Sequence, residues 1–271
     1  MFAWMVGWCH GLRKSGLLSE RRNHFLGISG GSLCGAFLAA DLDLSATSDV
    51  MAAGQEQSDR CRAGKQTLGD LVSNMMEDLF TEEVAARIMG GNNRLHVAVV
   101  RAPGGGVAGL SRAMGGAIAL HGRFADRRDL IDAMRATTYL PYICGDYATM
   151  NYRGESVVDA GITGQMFVPA SAPGLVNVNI FPPLECIPER ENAAGRYVLR
   201  KYARWMNLAR APVHAHPYDA EGFHLGIFGR DDLAMRPIEK EEALFRHQLG
   251  QDAFRSWHEN NKHCKKRKTP A

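Results

Sequence analysis

The chain has 271 residues with 45% hydrophobic and 23% charged side chains, an ordinary composition for a globular protein with one large core. The net charge of +3 is too small to indicate nucleic-acid binding, and no apolar run approaches the roughly 20 residues that span a bilayer. The six cysteines have no metal-ligand spacing, so we expect reduced thiols, no metal and no cofactor.

The hydrophobic pattern predicts helices and strands that alternate along the first 182 residues. Helices are predicted at residues 2–15, 30–40, 67–89 and 126–138, and strands at residues 24–26, 95–100, 156–158 and 175–181. Such alternation predicts an α/β fold with a mostly parallel sheet covered on both faces. The glycines at 104–106 are interpreted as a flexible connection rather than a phosphate-binding loop, because residues 107–110 show no helical pattern.

Residues 183–271 form a second region with a weaker pattern. They are rich in charge and histidine, with helices predicted at 191–209 and 239–259. A basic tail follows at residues 262–268. A solvated terminus is the favoured interpretation of this tail, and a contact with an anionic membrane surface or a nuclear-import signal are the alternatives.

Residues 27–31 (Gly-Ile-Ser-Gly-Gly) match the pattern G-x-S-x-G, with an apolar run before and a helix of small residues after. In such a motif the serine lies on a strained strand-to-helix turn, and glycines two residues before and two residues after it avoid a clash. We therefore predict Ser29 as a nucleophile on an elbow formed by Gly27, Gly30 and Gly31. The helix dipole and the Gly30 N–H favour a developing oxyanion there.

A serine nucleophile requires a base, and the sequence offers two kinds. Five histidines occur late in the chain, but none lies in a recognisable strand-end loop, and surface positions are expected for them: His214, His216, His224, His247 and His258. Asp159 ends a short apolar strand and is followed by the small residues Ala160 and Gly161. A carboxylate becomes a useful base when burial raises its proton affinity. Asp159 is the preferred candidate.

Together these motifs resemble the patatin-like phospholipase family, including its adipose-triglyceride-lipase branch. That family combines G-x-S-x-G with a later D-G-G/A motif and uses a Ser–Asp dyad. The resemblance covers roughly residues 2–182. It is carried by residues 27–36, 93–99, 122–124, 129–133, 139–141, 152–154 and 159–161.

The resemblance implies a three-layer α/β/α sandwich for residues 1–182, with substrate at the carboxyl ends of the strands. In the family a Gly-rich segment before the first helix supplies oxyanion N–H groups, whereas this chain begins at Met1, just inside that helix. The resemblance therefore implies an N-terminally truncated member that lacks its first strand and that loop. Ala160 stands where the family usually has glycine, and residues 164–169 match the family less regularly.

The implied function is hydrolysis of acyl esters in lipid catabolism, with Ser29 as nucleophile and Asp159 as base. The expected substrates are acylglycerols or phospholipids, and the sequence does not choose between them. We expect a cytoplasmic protein with peripheral contact to lipid droplets or membranes, and no nucleic-acid partner. The alternative is a catalytically impaired family member that serves as a lipid-binding or interaction module.

Overall fold

The computed structural model describes residues 2–18, 23–90, 94–113, 116–163, 177–178, 214–215 and 238–262. The chain divides into two compact units. The unit called here the sheet unit comprises Leu18–Phe167 and Pro237–Glu239. The unit called here the helix unit comprises Met1–Leu17, Val168–Arg236 and Lys240–Ala271. The sequence did not indicate that the N-terminal helix belongs with the C-terminal part of the chain, and the predicted boundary at 182/183 lies outside the described residues.

Helices and strands alternate through the sheet unit, which gives an α/β architecture. Its elements are β1 (Phe25–Ile28), α2 (Gly30–Ala39), α3 (Asp49–Arg62), α4 (Leu68–Leu79), α5 (Glu82–Gly90), β2 (Leu95–Arg101), α6 (Gly106–Ala113), β3 (Ile118–His121), α7 (Arg127–Thr137), β4 (Met150–Tyr152) and β5 (Glu155–Asp159), followed by a 3₁₀ turn (Ala160–Thr163). The helix unit contributes α1 (Phe2–Lys14), β6 (Asn177–Val178), β7 (His214–Ala215) and α8 (Lys240–Lys262).

The sheet of the sheet unit is built around β2, and it is mixed. β1 runs parallel to β2, whereas β3 and β5 pair with β2 in the antiparallel sense. β4 and β5 form a hairpin whose two turn residues, Arg153 and Gly154, have φ of 50° and 80°. A two-residue turn with positive φ at both positions matches the twist of the strands that it joins. Among the described strands the prediction of a mostly parallel sheet is therefore not met, because hydrophobic alternation carries no information on strand direction.

β1 and β5 lie on the same edge of β2, one after the other. The last residue of β1, Ile28, lies opposite Ala98 of β2. The last residue of β5, Asp159, lies opposite Val99, the next residue of β2. β3 spans both of these β2 residues and so occupies the other edge. Because β1 and β5 run in opposite directions, their carboxyl ends meet.

Apolar side chains on the two faces of the sheet contact different helices. On one face, Ala98, Val100 and Val158 form a buried cluster with residues of α6, including Ala113. On the other face, α2 approaches the sheet closely at Gly35, where a Cβ would lie 3.2 Å from Leu95. The small residues of α2 thus permit a close approach between this helix and the sheet.

One helix was predicted for residues 67–89, and the structure has two, α4 and α5. Thr67 and Asp70 form a capping box at the start of α4, and α4 ends at Leu79. The break follows at Phe80, whose carbonyl oxygen accepts a hydrogen bond from Arg127. The Thr81 hydroxyl oxygen then accepts a hydrogen bond from the Val84 N–H at 3.3 Å. Tertiary contacts and a new cap therefore end a helix that lacks a glycine or proline stop.

The interpretation of the triple glycine as a flexible connection is wrong. Gly106 begins α6 directly after the loop that follows β2, and all three glycines have positive φ, between 57° and 87°. A side chain at Gly109 is excluded because its Cβ would lie 2.6 Å from the Ala102 carbonyl oxygen. The glycines shape a tight strand-to-helix turn and allow α6 to pack against the chain that leaves β2.

In the helix unit, α1 and α8 cross at glycines. A Cβ at Gly7 would lie 1.9 Å from the His247 carbonyl oxygen, and one at Gly250 would lie 2.1 Å from the Trp4 carbonyl oxygen. Trp8 packs edge-on against Phe254 beside this crossing, with ring centroids 5.3 Å apart. The helix at 2–15 was predicted from its periodicity and the helix at 239–259 from a weaker pattern, and both are confirmed.

Several sequence predictions concern residues whose structure is not described. These are the helix at 191–209, the segment 164–169, most of the strand at 175–181 and the basic tail after Lys262. Of the predicted strand, Asn177–Val178 is present as β6, paired in parallel with β7. Among the described residues, every helix is too short or too polar to cross a bilayer.

Candidate active site

Ser29 occupies a strained turn between β1 and α2. Its φ of 55° and ψ of −134° lie in a region that residues with a side chain rarely adopt. The carbonyl oxygen of Ser29 accepts a hydrogen bond of 2.9 Å from the Ser32 N–H, which closes the first turn of α2. The chain direction therefore reverses sharply at Ser29, as the motif predicts.

The two outer glycines of the motif differ in what requires them. A Cβ at Gly27 would lie 2.2 Å from the Ser32 Cα, so only glycine fits there. A Cβ at Gly31 meets no atom within 4 Å outside its own helix. The expectation that a side chain at Gly31 would clash is therefore wrong, because the tight approach occurs on the β1 side of the turn alone.

Asp159 is the last residue of β5, and it is almost completely buried, with 2% of its surface exposed. The Ser29 side chain lies within hydrogen-bonding reach of its carboxylate. The Asp159 Oδ1 accepts the Gly161 N–H at 2.7 Å. The structure thus brings together the two side chains that the sequence argument paired across 130 positions of the chain.

Burial raises the pKa of Asp159 from 3.8 to about 7, while the hydrogen bonds from Ser29 and Gly161 act in the opposite direction. Desolvation dominates because the ionised carboxylate loses its contact with water. A carboxylate with a pKa near 7 is a far better proton acceptor at neutral pH than an exposed aspartate. The Ser29 side chain therefore lies beside a buried carboxylate of raised proton affinity.

The register of the sheet explains why the two side chains meet. β1 ends opposite Ala98 and β5 ends opposite Val99, and these are adjacent residues on one edge of β2. The residue after β1 is Ser29, so the turn begins where β5 delivers its last residue. Because the two strands run in opposite directions along this edge, their last residues meet end to end.

The two residues after Asp159 have separate structural roles. Ala160 is fully buried in the apolar cluster on the α6 face of the sheet. Gly161 lies so close to the carboxylate that a Cβ there would be 3.1 Å from the Asp159 Oδ1. A side chain at this position would crowd the hydrogen bond that the Gly161 N–H donates.

Sequence reasoning missed the contribution of the carboxyl end of α7. Thr137, fully buried, accepts the Ser29 N–H at 3.0 Å and donates its hydroxyl to the Ala98 carbonyl oxygen at 2.7 Å. Two residues later, the Tyr139 carbonyl oxygen accepts the Asp159 N–H at 3.1 Å. The only sequence signal was a threonine on the buried side of a helix end, which is not specific.

The Ser29 N–H is committed to Thr137, so it does not face a ligand. Gly30, as the first residue of α2, carries an N–H that has no acceptor within the helix. The positive end of the α2 dipole lies at the same place. The N-terminal end of α2 beside Ser29 is therefore electrostatically favourable for a negative charge.

The late histidines do not follow the expectation of uniformly exposed positions. His247 is 1% exposed in α8, and its ring lies edge-on to that of His10 with centroids 5.6 Å apart. His258 stacks on Phe254. Both belong to the helix unit. Within the described ranges, no group of three histidine, cysteine or acidic side chains is arranged to hold a metal ion.

Comparison of the chain with known proteins gives no family assignment. No protein-family model matches it, and no curated protein matches it. The function is therefore argued from the site itself.

Proposed function

We propose that this chain is a serine acyl-ester hydrolase that acts on acylglycerols or phospholipids in lipid catabolism. The observation that carries the proposal is the contact between Ser29, on a strained elbow, and the buried Asp159, whose pKa is raised to about 7. Strongly shifted pKa values beside a nucleophile concentrate at catalytic sites. Helices against both faces of the sheet support the proposed three-layer α/β/α sandwich of the patatin-like type.

In the proposed reaction, the Asp159 carboxylate takes the hydroxyl proton as the Ser29 oxygen attacks the carbonyl carbon of the ester. The developing oxyanion is stabilised by the Gly30 N–H and the α2 dipole. The alcohol leaves with a proton from Asp159, and an acyl group remains on Ser29. Water, deprotonated by the same carboxylate, then attacks the acyl carbon, and the Ser29 oxygen leaves with the proton from Asp159 as the fatty acid is released. The ionised form of Asp159 begins the cycle, so the rate rises with pH through the pKa of this group.

The proposed lipid substrate is supported by exposed apolar side chains near the site. The segment between α7 and β4 exposes Tyr142, Ile143 and Tyr147, the last of them by 75%. The Tyr139 hydroxyl donates to the Tyr147 carbonyl oxygen at 2.9 Å, which ties this segment to the residue that also holds Asp159. Tyrosine suits the boundary between water and lipid. We propose peripheral contact with droplet or membrane surfaces in the cytoplasm.

The test is fatty-acid release from triolein emulsions and from phosphatidylcholine vesicles, compared between the wild type and Ser29→Ala. We expect Ser29→Ala to lower release by on the order of a thousandfold or more. A fluorophosphonate probe should label the wild type at Ser29, because only an activated hydroxyl reacts. Equal release by both proteins would remove Ser29 from the mechanism. Lipid binding without labelling would favour a lipid-binding module instead.

A further inference from the structure

Within the strand pair β1–β2, the hydrogen bonds follow a parallel register that can be continued past the end of β1. Phe25 faces Leu95, and its N–H donates to the carbonyl oxygen of the preceding residue, Arg94, at 2.7 Å. In a parallel pair this pattern repeats at every second residue. The register therefore assigns the Ala98 carbonyl oxygen as the acceptor that Ser29 would use if β1 continued.

The Thr137 hydroxyl lies between that donor and that acceptor. The Ser29 N–H donates to Thr137 Oγ1 at 3.0 Å, and Thr137 Oγ1 donates to the Ala98 carbonyl oxygen at 2.7 Å. The Ser32 hydroxyl oxygen lies 3.3 Å from Thr137 Oγ1. Since the single hydroxyl proton goes to Ala98, Ser32 must be the donor. The hydroxyl thus uses its one donor and both acceptor sites.

We infer that Thr137 is a positioning residue that holds the nucleophile elbow open. Its hydroxyl replaces the direct bond between Ser29 and Ala98, so the chain can leave the sheet at Ser29 without stranding either backbone group. The same segment holds the partner carboxylate, because the Tyr139 carbonyl accepts the Asp159 N–H. Thr137 and the Tyr139 carbonyl oxygen therefore set the distance between the serine and the aspartate. This inference rests on the proposed function.

The test compares three substitutions by fluorophosphonate labelling rate and by kcat and KM for a short-chain nitrophenyl ester. Thr137→Val keeps the shape and removes the hydroxyl, whereas Thr137→Ser keeps the hydroxyl. Thr138→Val is the matched control, because Thr138 is its buried neighbour and its hydroxyl donates only to carbonyls of its own helix, at 2.8 Å for Met134.

We expect Thr137→Val to lower kcat and the labelling rate by about a hundredfold with little change in KM, since displacing a reacting atom by about 1 Å costs that much. Thr137→Ser should stay within a few-fold of the wild type, and so should Thr138→Val. Rates are expressed per folded molecule from near-ultraviolet circular dichroism. If Thr137→Val does not fold, Thr137→Ala, which demands less of the packing, takes its place in the same comparison.

The outcomes separate the two proposals. If the wild type is reactive and Thr137→Val or Thr137→Ala has the same labelling rate and kcat, the positioning role alone is overturned. Equal losses in Thr137→Ser and Thr137→Val would also overturn it, since the hydroxyl would not matter. A wild type that neither labels nor hydrolyses any ester would overturn the proposed function, and the role of Thr137 with it.

Discussion

Ser29 is held in a backbone conformation that costs about 1–3 kcal/mol for a residue with a side chain. Two hydrogen bonds stabilise this conformation. The Thr137 hydroxyl oxygen accepts the Ser29 N–H, and the Ser29 carbonyl oxygen accepts the Ser32 N–H. With both backbone groups engaged, the turn has few other conformations available. The strain is therefore compensated by local bonding, and the side chain is directed to Asp159 rather than along the sheet.

The unequal surroundings of the two outer motif glycines give a test at the residue scale. Gly27→Ala should destabilise the protein by more than about 2 kcal/mol and abolish labelling of Ser29, because its Cβ would overlap the Ser32 backbone. Gly31→Ala is the matched variant. It should leave stability unchanged or raise it by up to about 1 kcal/mol, since alanine favours helix and meets open space.

Urea unfolding followed by circular dichroism measures both variants, with probe labelling as the second readout. Equal destabilisation by the two substitutions would show that the turn is tight on both sides, contrary to the contacts at Gly31.

Ser29 and Asp159 could be identified from the sequence because each carries a local signature: glycines around a serine, and a strand-end aspartate before small residues. Thr137 could not. Its role depends on where α7 ends relative to β1 and β2, which lie 39 or more positions away in the chain. A threonine near a helix end is common, and nothing nearby in the sequence marks the strand bond that its hydroxyl replaces.

At the scale of elements, the sequence predicted α7 well, because its pattern is local, whereas α3 was not predicted. α7 has an aspartate cap at Asp126 and a buried side at helical spacing, and it begins and ends within one residue of the prediction. The break between α4 and α5 was missed, because Phe80 is neither glycine nor proline and stops the helix through a long-range bond to Arg127. α6 was missed because its glycines resemble a loop when read in isolation.

The crossing of α1 and α8 supplies a prediction at this scale. Gly7→Ala should weaken the packing of the two helices by about 2 kcal/mol or more, because its Cβ would overlap the rigid backbone of His247. Gly11→Ala is the graded control. Its Cβ would meet the Phe254 side chain, with Cδ1 at 2.7 Å and Cβ at 2.9 Å, so the overlap is smaller than that with the His247 backbone at Gly7.

Tryptophan fluorescence during thermal unfolding reports on this crossing, since Trp4 and Trp8 are buried there. We expect a clearly lower midpoint for Gly7→Ala than for Gly11→Ala. The reverse order would show that the backbone approach at Gly7 does not limit the packing.

At the scale of the whole molecule, Asp159 links stability to pH. Its pKa is raised from 3.8 to about 7 in the folded state, so the folded protein holds an extra proton between these values. The contribution of this group to stability is therefore complete below about pH 4 and is lost as pH rises to 7. The full loss corresponds to about 4 kcal/mol.

Asp159→Asn should remove this dependence, because the amide cannot ionise and is close in shape to the acid. Urea unfolding at several values between pH 4 and pH 8 should show that the free energy of unfolding of the variant increases relative to that of the wild type as pH rises. The variant should also lose ester hydrolysis. Asp146→Asn, on an exposed segment, should track the wild type throughout. Parallel curves for the wild type and Asp159→Asn would contradict the buried, raised-pKa state of the carboxylate.

The α/β class followed from the alternation of helical and strand patterns, but the arrangement of strands did not. The direction and order of strand pairing depend on which distant segments meet. The apolar pattern of β5 fits parallel and antiparallel pairing equally, and the structure shows antiparallel pairing with β2. The grouping of α1 with α8 could not be predicted either, since it depends on Gly7 approaching the His247 backbone and Gly250 approaching the Trp4 backbone in the folded structure.

The end-to-end meeting of β1 and β5 also bears on folding. Phe25 pairs across 70 residues of chain, and Asp159 pairs across 60. The entropy of closing a loop grows only slowly with its length, so neither closure has a marked advantage over the other. Contacts between such distant segments form late. The Ser29–Asp159 pair is thus a property of the finished sheet, and an intermediate holding one of the two strands lacks it.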